Sequence, residues 1–363
     1  MTKKILIATG GTGGHVFPAY SLAKHFIDKD YDVRITSDAR GLRYLKNFPN
    51  LKIIKLNSTS IYKTNIFIKL ISLFVIFFSI LKSIFFLVSN RPNLVFGMGG
   101  YSSFPVCISS WILRIPFIIY ENNLHTGKTN KFLLPFTKKI FVSYKNLEGV
   151  PDKYKSKICE IGNIIRKEIL HIKKDQNNLK KNEILNILIL GGSQAAEIFA
   201  IKLPEIFKKC IDENLKIKIY QQCLPNQNKI LNSFYQKFNL DYEIFNFSND
   251  ISQYFSKTDL ALTRAGSSML AELINVNIPF ISVPLPSSAE NHQLKNATYY
   301  KEKGYGLLIE EKDLNNDLFD LIKNIYNKRS FLTEIINKQR QYSDKSVYKN
   351  IEKHINQLNN EKY

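Results

Sequence analysis

Short apolar runs separated by helical stretches dominate the first half of the chain. Lys4–Ala8 reads KILIA and runs directly into glycines, and His15–Lys29 then carries a helical pattern. Apolar runs of this length, with helices between them, are typical of parallel strands covered on both faces. The strands predicted in this half are Lys4–Ala8, Tyr31–Thr36, Leu51–Lys55, Leu94–Phe96, Phe117–Tyr120 and Ile140–Val142.

The same pattern restarts in the second half, where Asn186–Leu190 reads NILIL and leads into Gly191-Gly192. Two βα series, each opened by a strand that ends in a Gly-rich turn, predict an α/β fold with two Rossmann-like domains. We expect domains at 1–163 and 164–340, then a C-terminal helix in 341–363, for which packing against the first domain is one arrangement. The further strands predicted are Lys216–Tyr220, Tyr242–Phe245, Leu260–Thr263 and Phe280–Val283.

The segment Ile66–Ser89 is unusually apolar, with Lys69 and Lys82 as its only charged residues. Its length would allow a membrane span, but a span would put the strands before and after it on opposite sides of a membrane. We expect a crossover helix, either buried in the core or lying in a membrane interface. We favour the interface, because a helix that covers a sheet needs only one apolar face. The side chains expected to contact lipid are Phe74, Phe77 and Phe78.

The charge of the chain points to a polyanionic partner. Its formal net charge is +20, and residues 1–165 hold 23 Lys and Arg against 8 Asp and Glu. Nucleic acid, an acidic membrane surface and a phosphorylated substrate all fit this charge. No RNA- or DNA-binding signature is present, so we expect no nucleic acid.

The four cysteines are widely spaced, which disfavours a zinc site and disulfides. The first apolar run is too short for a signal peptide.

A Gly-rich loop, Gly10–His15, lies between the first predicted strand and the first helix. Such a loop can present backbone N–H groups and a helix N-terminus to an anion, although it fits neither the dinucleotide nor the P-loop pattern. His15 could act as a general base there, or could cap the helix or lie in the core. Gly97–Ser102 and Glu121–Asn123 follow other strands, so we expect them at the same edge of the sheet.

Two strand–turn–helix junctions in the second half have similar features. The Gly191–Gln194 turn follows one strand, and Thr263–Ser268 opens a helix that carries Glu272. Arg264 beside a helix N-terminus suits a diphosphate. Glu272 could accept ribose hydroxyls or merely stabilise the helix. The acidic turn Asp28–Asp32 is predicted at the opposite sheet edge, and no HExxH or EF-hand pattern is present, so we expect catalysis without a bound metal. We expect no cofactor either.

Taken in order, these motifs resemble the MurG family of bacterial UDP-N-acetylglucosamine transferases, nearly from end to end. Five positions depart from the usual family pattern: Tyr120 stands for His, Asn122 for Gln, Ala195 for Gly, Ala265 for Ser and Ser267 for Ala. The motifs are GGTGGHVFP at Gly10–Pro18, GMGGY at Gly97–Tyr101, TNK at Thr129–Lys131, GN at Gly162-Asn163 with Arg166, GGSQ at Gly191–Gln194, R-x-G…E at Arg264, Gly266 and Glu272, and NHQ…NA at Asn291–Gln293 with Asn296-Ala297.

The resemblance implies the GT-B fold, in which two Rossmann-like domains with parallel sheets face a central cleft. It implies an inverting, metal-independent transfer of GlcNAc from UDP-GlcNAc to the 4-hydroxyl of the MurNAc of lipid I, forming lipid II for peptidoglycan. The partners would be UDP-GlcNAc, lipid I and an anionic membrane surface, at the cytoplasmic face of the bacterial inner membrane. Another GT-B UDP-sugar transferase with a soluble acceptor is the alternative.

The resemblance also implies roles for individual residues. The general base would be His15 or Glu121. The acceptor side would include Thr12, Gly13, Gly14 and Asn123. The donor contacts would be Arg166, Ser193, Ser248, Ser267, Ser268, Met269, Leu270, Ala271, Glu272 and Gln293.

Overall fold

The computed structural model describes residues 3–46, 48, 51–59, 65–172, 183–192, 196–246, 248 and 251–360. The chain divides into two compact units. The first comprises Met1–Arg166 with Asp344–Tyr363, and the second comprises Lys167–Ser343. Both boundaries fall three residues after the positions expected from the sequence. Each unit is an α/β domain built on its own parallel sheet, as the sequence predicts.

The first unit holds a seven-stranded parallel sheet in the order β3-β2-β1-β4-β5-β6-β7. Its central strands are buried because helices cover both faces. The strand β7, which the sequence did not predict, has only three residues at the sheet edge. The strands are β1 Lys4–Ala8, β2 Asp32–Ser37, β3 Lys52–Lys55, β4 Leu94–Gly97, β5 Phe117–Glu121, β6 Lys139–Val142 and β7 Ile158–Glu160; the helices before residue 166 are α1 Gly13–Ile27, α2 Ala39–Leu45, α3 Ile66–Ser89, α4 Ser103–Ile112 and α5 Lys128–Leu133.

The second unit holds a six-stranded parallel sheet in the order β10-β9-β8-β11-β12-β13. Its core packs α7 and α12 against β8 and β9 through fully buried side chains such as Phe207 and Leu318. The strands are β8 Leu185–Leu190, β9 Ile217–Gln222, β10 Asp241–Phe245, β11 Leu260–Thr263, β12 Phe280–Ser282 and β13 Leu307–Leu308; the helices are α6 Lys167–Leu170, α7 Glu197–Asp212, α8 Asn228–Lys237, α9 Ser252–Phe255, α10 Ser267–Asn275, α11 His292–Glu302, α12 Leu314–Asn327 and α13 Ser330–Gln339.

The chain returns to the first unit through its last helix, α14 (Val347–Asn360). Glu352 of α14 lies 2.8 Å from Nε2 of the buried His25 in α1. At the point of return, the Asn163 amide donates to Asp344 Oδ1 at 2.8 Å. Gly162 has φ +92°, and a Cβ there would lie 2.6 Å from the same Asp344 oxygen, so a side chain would break this junction.

Helix α3 turns a serine face inward and an apolar face outward. Its buried residues are Ser72, Ser79, Ser83 and Leu87. The side chains predicted to contact lipid, Phe74, Phe77 and Phe78, are 65%, 55% and 62% exposed. The core-helix alternative is therefore wrong.

Within the described part of the chain, α3 is the one helix long and apolar enough to cross a membrane by length and composition. Yet β3 before it and β4 after it belong to the same sheet. The Ser79 hydroxyl donates to the Asn57 carbonyl at 2.6 Å, and the Ser109 hydroxyl of α4 donates to the Ile80 carbonyl at 3.0 Å. The helix thus lies along the first unit, as expected for a crossover helix.

Candidate functional site

The carboxyl ends of β1, β4 and β5 meet at one edge of the first sheet. Ala8 pairs with Gly97, and Gly97 with Ile119, so these three strands are direct neighbours. The loops that follow them are Gly10–His15, Gly97–Ser102 and Glu121–Asn123, which the sequence predicts at the same edge. Their expected proximity is confirmed.

The two Gly-rich loops of this edge approach so closely that side chains would not fit between them. A Cβ on Gly99 would lie 2.9 Å from the His15 ring, and one on Gly100 would lie 3.2 Å from the Gly10 carbonyl oxygen. Both glycines have left-handed φ, +82° and +74°. The half-exposed His15 imidazole therefore rests against the backbone of the second loop, which fixes its position.

Asp38, which the sequence analysis missed, anchors the first Gly-rich loop. Its Oδ1 accepts from the backbone amides of Gly11 and Gly41, both at 2.9 Å, and its Oδ2 pairs with Arg40 at 2.8 Å. Burial opposes ionisation of Asp38, but the two amides and Arg40 outweigh it and hold the pKa of this carboxyl below its usual value. The available signal was its place directly after β2, as the N-cap of α2.

Glu121 is buried and holds the loop after β5 with both carboxylate oxygens. Oε1 accepts from the backbone and side-chain N–H groups of Asn123, at 3.2 and 3.0 Å. Oε2 accepts from the Gly127 amide at 2.9 Å and from Asn130 Nδ2 at 3.0 Å. A carboxylate has about four acceptor positions, so four N–H donors occupy its capacity. These contacts favour a positioning role for Glu121.

The loop that Glu121 holds also contacts the start of α1. The buried Asn122 donates from Nδ2 to the Gly14 carbonyl at 3.1 Å, and Asn123 Nδ2 also reaches Asn122 Oδ1 at 3.1 Å. Thr12 and Gly14 are exposed and Gly13 is buried. The predicted acceptor residues of this edge, Thr12, Gly13, Gly14 and Asn123, thus lie in two loops joined by a direct hydrogen bond.

Arg166 lies in the first unit, although the sequence analysis assigned it to the second domain. Its guanidinium carbon stands 5.8 Å from the ring centroid of Phe17, two residues after His15 in α1. The predicted position of Arg166 in 164–340 is corrected by this grouping. The cause is the strong attachment of residues 161–166 to α14, which sequence spacing does not reveal.

In the second unit, β8, β11 and β12 are neighbours, so the loops after them share a sheet edge. Helix α10 begins there at Ser267, and its N-cap, Gly266, has no side chain with which to cap it. A helix N-terminus of this kind attracts anions. Among the predicted donor residues of α10, Ser268 and Met269 are half-buried and Ser267 and Glu272 are buried.

Two predicted donor contacts of α10 need correction. The side chains of Leu270 and Ala271 are fully buried in the core of the second unit, each with no exposed surface. A side chain with no exposed surface does not reach a substrate at the surface of the unit. Any role in donor binding is limited to their backbone.

The guanidinium of Arg264 is engaged within the second unit. Nη1 donates to the carbonyls of Val283 and Pro284, both at 3.3 Å, and Nη2 lies 2.5 Å from Glu311 Oε2. Its carbon stands 5.2 Å from the Phe199 ring centroid. The expected use of Arg264 for a diphosphate is therefore replaced by a structural role, joining the loops after β11 and β12.

The start of α11 is tied to the loops of the same edge. The Leu285 amide donates to Gln293 Oε1 at 3.0 Å, and Asn296 Nδ2 donates to the Ala265 carbonyl at 3.3 Å. Glu290 and Asn291 both have left-handed φ, +54° and +53°. This turn sets the direction in which α11 begins, and Gln293 is half-buried at its first turn.

The surroundings of two further predicted donor residues, Ser193 and Ser248, are described only in part or not at all. Ser193 lies outside the described residues. Ser248 is half-buried and irregular in conformation, and Phe247 and Asn249 on either side of it lie outside the described residues.

The described residues contain no group of three or more His, Cys, Asp and Glu side chains that could hold a metal ion. The acidic turn Asp28–Asp32 lies at the edge of the first sheet where its strands begin. There, Asp32 pairs with Lys52 at 2.6 Å. The hydrogen bond from Lys52 is the main cause that lowers the pKa of Asp32.

Both halves of the chain match one protein family. Residues 5–142 match the glycosyltransferase family 28 N-terminal domain, and residues 186–354 match the glycosyltransferase family 28 C-terminal domain. Both curated relatives described next are named UDP-N-acetylglucosamine--N-acetylmuramyl-(pentapeptide) pyrophosphoryl-undecaprenol N-acetylglucosamine transferase.

The relative from Pelagibacter ubique is 39% identical over 367 residues, which cover 99% of this chain and 100% of that protein. The relative from Rickettsia felis is 35% identical and covers 89% of this chain and 91% of its own length. Among solved structures, the crystal structure of MurG from Acinetobacter baumannii superposes with a TM-score of 0.77 at 24% identity, covering 99% of both chains. The structural likeness concerns the fold.

Proposed function

The chain belongs to the MurG family within glycosyltransferase family 28, and we propose that it transfers GlcNAc from UDP-GlcNAc to the MurNAc 4-hydroxyl of lipid I. The product is lipid II, the precursor of peptidoglycan. The observation that carries this proposal is the 39% identity to a transferase of that name over the whole of its length. Both family domains are therefore present in this chain.

His15 is the general base of the proposed reaction. Inverting transfer needs a group that takes the proton of the attacking hydroxyl while the new glycosidic bond forms and UDP departs. The imidazole is half-exposed at the Gly-rich loop and held against the Gly99 backbone. A group of this kind contributes about 10²–10⁴-fold to the rate. Glu121 is the less suitable base, because four N–H donors already occupy its oxygens.

The N-terminus of α10 stabilises the departing UDP in this proposal. Backbone amides in the first turn of the helix, with Gly266 before them, present positive potential to the diphosphate. Arg166 adds a cationic group by motif match, and Glu272, Gln293, Ser193 and Ser248 complete the donor site on the same ground. Positive charge that is fixed in the protein can serve the leaving group, so we propose that neither a metal nor a cofactor takes part.

The enzyme is proposed to bind the cytoplasmic face of the inner membrane through α3. The exposed Phe74, Phe77 and Phe78 supply apolar surface, and Lys69 and Lys82 supply positive charge on the same helix. Exposed Trp111 at the end of α4, which packs along α3, extends this surface. An amphipathic tryptophan favours the membrane interface, but no pattern in the sequence singled it out.

The test is transfer of labelled GlcNAc to lipid I in vesicles that contain anionic phospholipid, measured without and with EDTA. We expect lipid II to form at an unchanged rate when EDTA is added. Loss of turnover in EDTA that Mg²⁺ restores would contradict metal independence. Transfer from a UDP-sugar to a water-soluble acceptor, with no product from lipid I, would favour the alternative transferase.

A further inference from the structure

A groove of about 390 Å³ runs along one side of α3, facing the segment that follows β3. Its α3 residues recur at helical spacing, so they form one stripe about 16 Å long at 1.5 Å per residue. The lining residues are Asn57, Ile71, Phe74, Val75, Phe78, Ser79 and Lys82.

The groove is apolar toward the start of α3 and polar toward its middle. Ile71, Phe74, Val75 and Phe78 make the apolar part, and Asn57, Ser79 and Lys82 lie at the other end. The Lys82 ammonium is exposed and lies 3.4 Å from the Lys55 carbonyl oxygen. The helix has no Asp or Glu, so nothing on it neutralises this charge. A hydrocarbon chain that ends in a phosphate has the same distribution of polarity.

Three hydrogen bonds connect the polar end of the groove to the Gly-rich loop. Ser79 donates to the Asn57 carbonyl at 2.6 Å, and the next residue, Ser58, donates to Asp38 Oδ2 at 3.2 Å. Asp38 Oδ1 accepts from the Gly11 amide at 2.9 Å. The polar end of the groove is therefore adjacent to the loop proposed for the acceptor, and its apolar end leads away from it.

We propose that this groove binds the part of the acceptor's polyprenyl chain that lies next to the diphosphate, with Lys82 near the phosphate. The inference rests on the proposed function, since it takes the acceptor to be lipid-linked. It gives the groove side of α3, with Phe74, Phe78 and Lys82, a substrate to bind in addition to the membrane contact proposed above. Other exposed side chains of the helix, such as Phe67, Phe77 and Phe85, remain available for the membrane surface.

The direct test measures binding of farnesyl diphosphate to the full chain, with inorganic diphosphate as the reference ligand. Val75→Trp fills the groove, and Val88→Trp makes the same change at an exposed position of α3 outside it. We expect Val75→Trp to weaken farnesyl diphosphate binding about tenfold, the effect of losing burial of about two methylenes, and Val88→Trp to leave it unchanged. Inorganic diphosphate should bind both variants as it binds the wild type.

A second pair of variants tests the phosphate end without changing apolar packing. Lys82→Gln should weaken farnesyl diphosphate binding severalfold, whereas Lys69→Gln, the other lysine of α3, should not. Both lysines are exposed, so both variants should fold. Equal effects of the two lysine changes would overturn the proposal, as would unchanged binding in Val75→Trp.

The groove and the proposed function can fail separately. In the transfer assay, Val75→Trp should raise the KM for a long-chain acceptor, but not for an analogue with a four-carbon chain, and should leave the KM for UDP-GlcNAc unchanged. If Val75→Trp changes the KM of both acceptors equally in a protein that still makes lipid II, the groove proposal is wrong and the proposed function stands. A wild type that makes no lipid II but binds farnesyl diphosphate through Val75 would overturn the proposed function and not the groove.

Discussion

His15 and Glu121, the two candidate bases, differ in the contacts that the structure shows for their side chains. The His15 ring rests on glycine backbone, whereas both Glu121 oxygens accept from N–H donors. Glu121→Gln would place an amide NH₂ against those donors and disturb the loop that carries Asn123. A loss of activity in that variant therefore cannot identify the base.

We predict that His15→Ala lowers kcat by about 10²–10⁴-fold and leaves UDP-GlcNAc binding nearly unchanged, because a general base acts in the chemical step. The measurement is the pH profile of kcat together with calorimetric binding of UDP-GlcNAc. His15→Ala should also remove the limb of the profile that reflects deprotonation of the base. If the limb persists at near-normal kcat, the base lies elsewhere.

Asp38 predicts a pH dependence of stability. Its pKa in the folded chain lies below the unfolded value, so its contribution is complete above the unfolded pKa and is lost as pH falls through the folded one. Asp38→Asn should lower the free energy of unfolding at pH 7 by about 1–3 kcal/mol, since the variant loses the charged pairing of a buried group. Urea unfolding should show the difference from wild type shrinking below about pH 4; a constant difference would contradict it.

At the scale of elements, α3 inverts the usual arrangement of a crossover helix. Small hydroxyl side chains pack inward because the Ser79 and Ser83 hydroxyls donate hydrogen bonds to backbone carbonyl oxygens. Their small size lets α3 lie close to the rest of the first unit. The large apolar side chains are left outside. The polar serines of α3 are thus buried and its phenylalanines exposed, the reverse of what their hydrophobicity predicts.

Two changes on opposite faces of α3 should have opposite consequences. Replacing Phe74, Phe77 and Phe78 by Ser should release the protein from anionic vesicles without unfolding it, because these side chains are exposed. Ser79→Leu should destabilise the first unit, since it overfills a buried position and leaves the Asn57 carbonyl unpaired. Vesicle co-sedimentation and circular dichroism measure the two effects. Unfolding of the triple variant would contradict the exposed-face interpretation.

The sequence predicted the long elements well because their signals are local. Helix α3 spans Ile66–Ser89, the segment singled out by its apolar run, and β1 spans Lys4–Ala8 as expected. The strands β7 and β13 have three and two residues, too few for any period to be visible. The partners of Arg264 escaped prediction because Val283, Pro284 and Glu311 are distant in sequence and only the fold brings them beside it. Those of Glu121 lie within nine residues, but an irregular loop, which has no period to detect, places them around the carboxylate.

At the scale of the whole molecule, α14 is held to the first unit at several points along its length. Asp344 accepts from the Asn163 amide, the Tyr348 hydroxyl donates to the Ile165 carbonyl at 2.7 Å, and Glu352 meets His25. These contacts tie both connections between the units to one place on the first unit.

We predict that Asp344→Ala loosens α14, because it leaves the buried Asn163 amide without its partner, at a cost of about 1–3 kcal/mol. Hydrogen exchange of the α14 amides should speed up, while exchange in β8 and β9 of the second unit stays as in the wild type. Asp317→Ala, at an exposed position on α12, is the control and should change neither. Unchanged exchange in α14 of Asp344→Ala would show that the other contacts suffice.

The return of α14 also reverses the order in which the two units can be finished during synthesis. Domains generally fold as units from the N-terminus as the chain leaves the ribosome. Here the first unit lacks residues 344–360 until all of the second has been translated. The second unit can close its core first, while the nascent first unit waits with His25 and the residues around Ile165 uncovered. During that interval the apolar face of α3 is also already outside the ribosome, so early contact with the membrane would shield it from other chains.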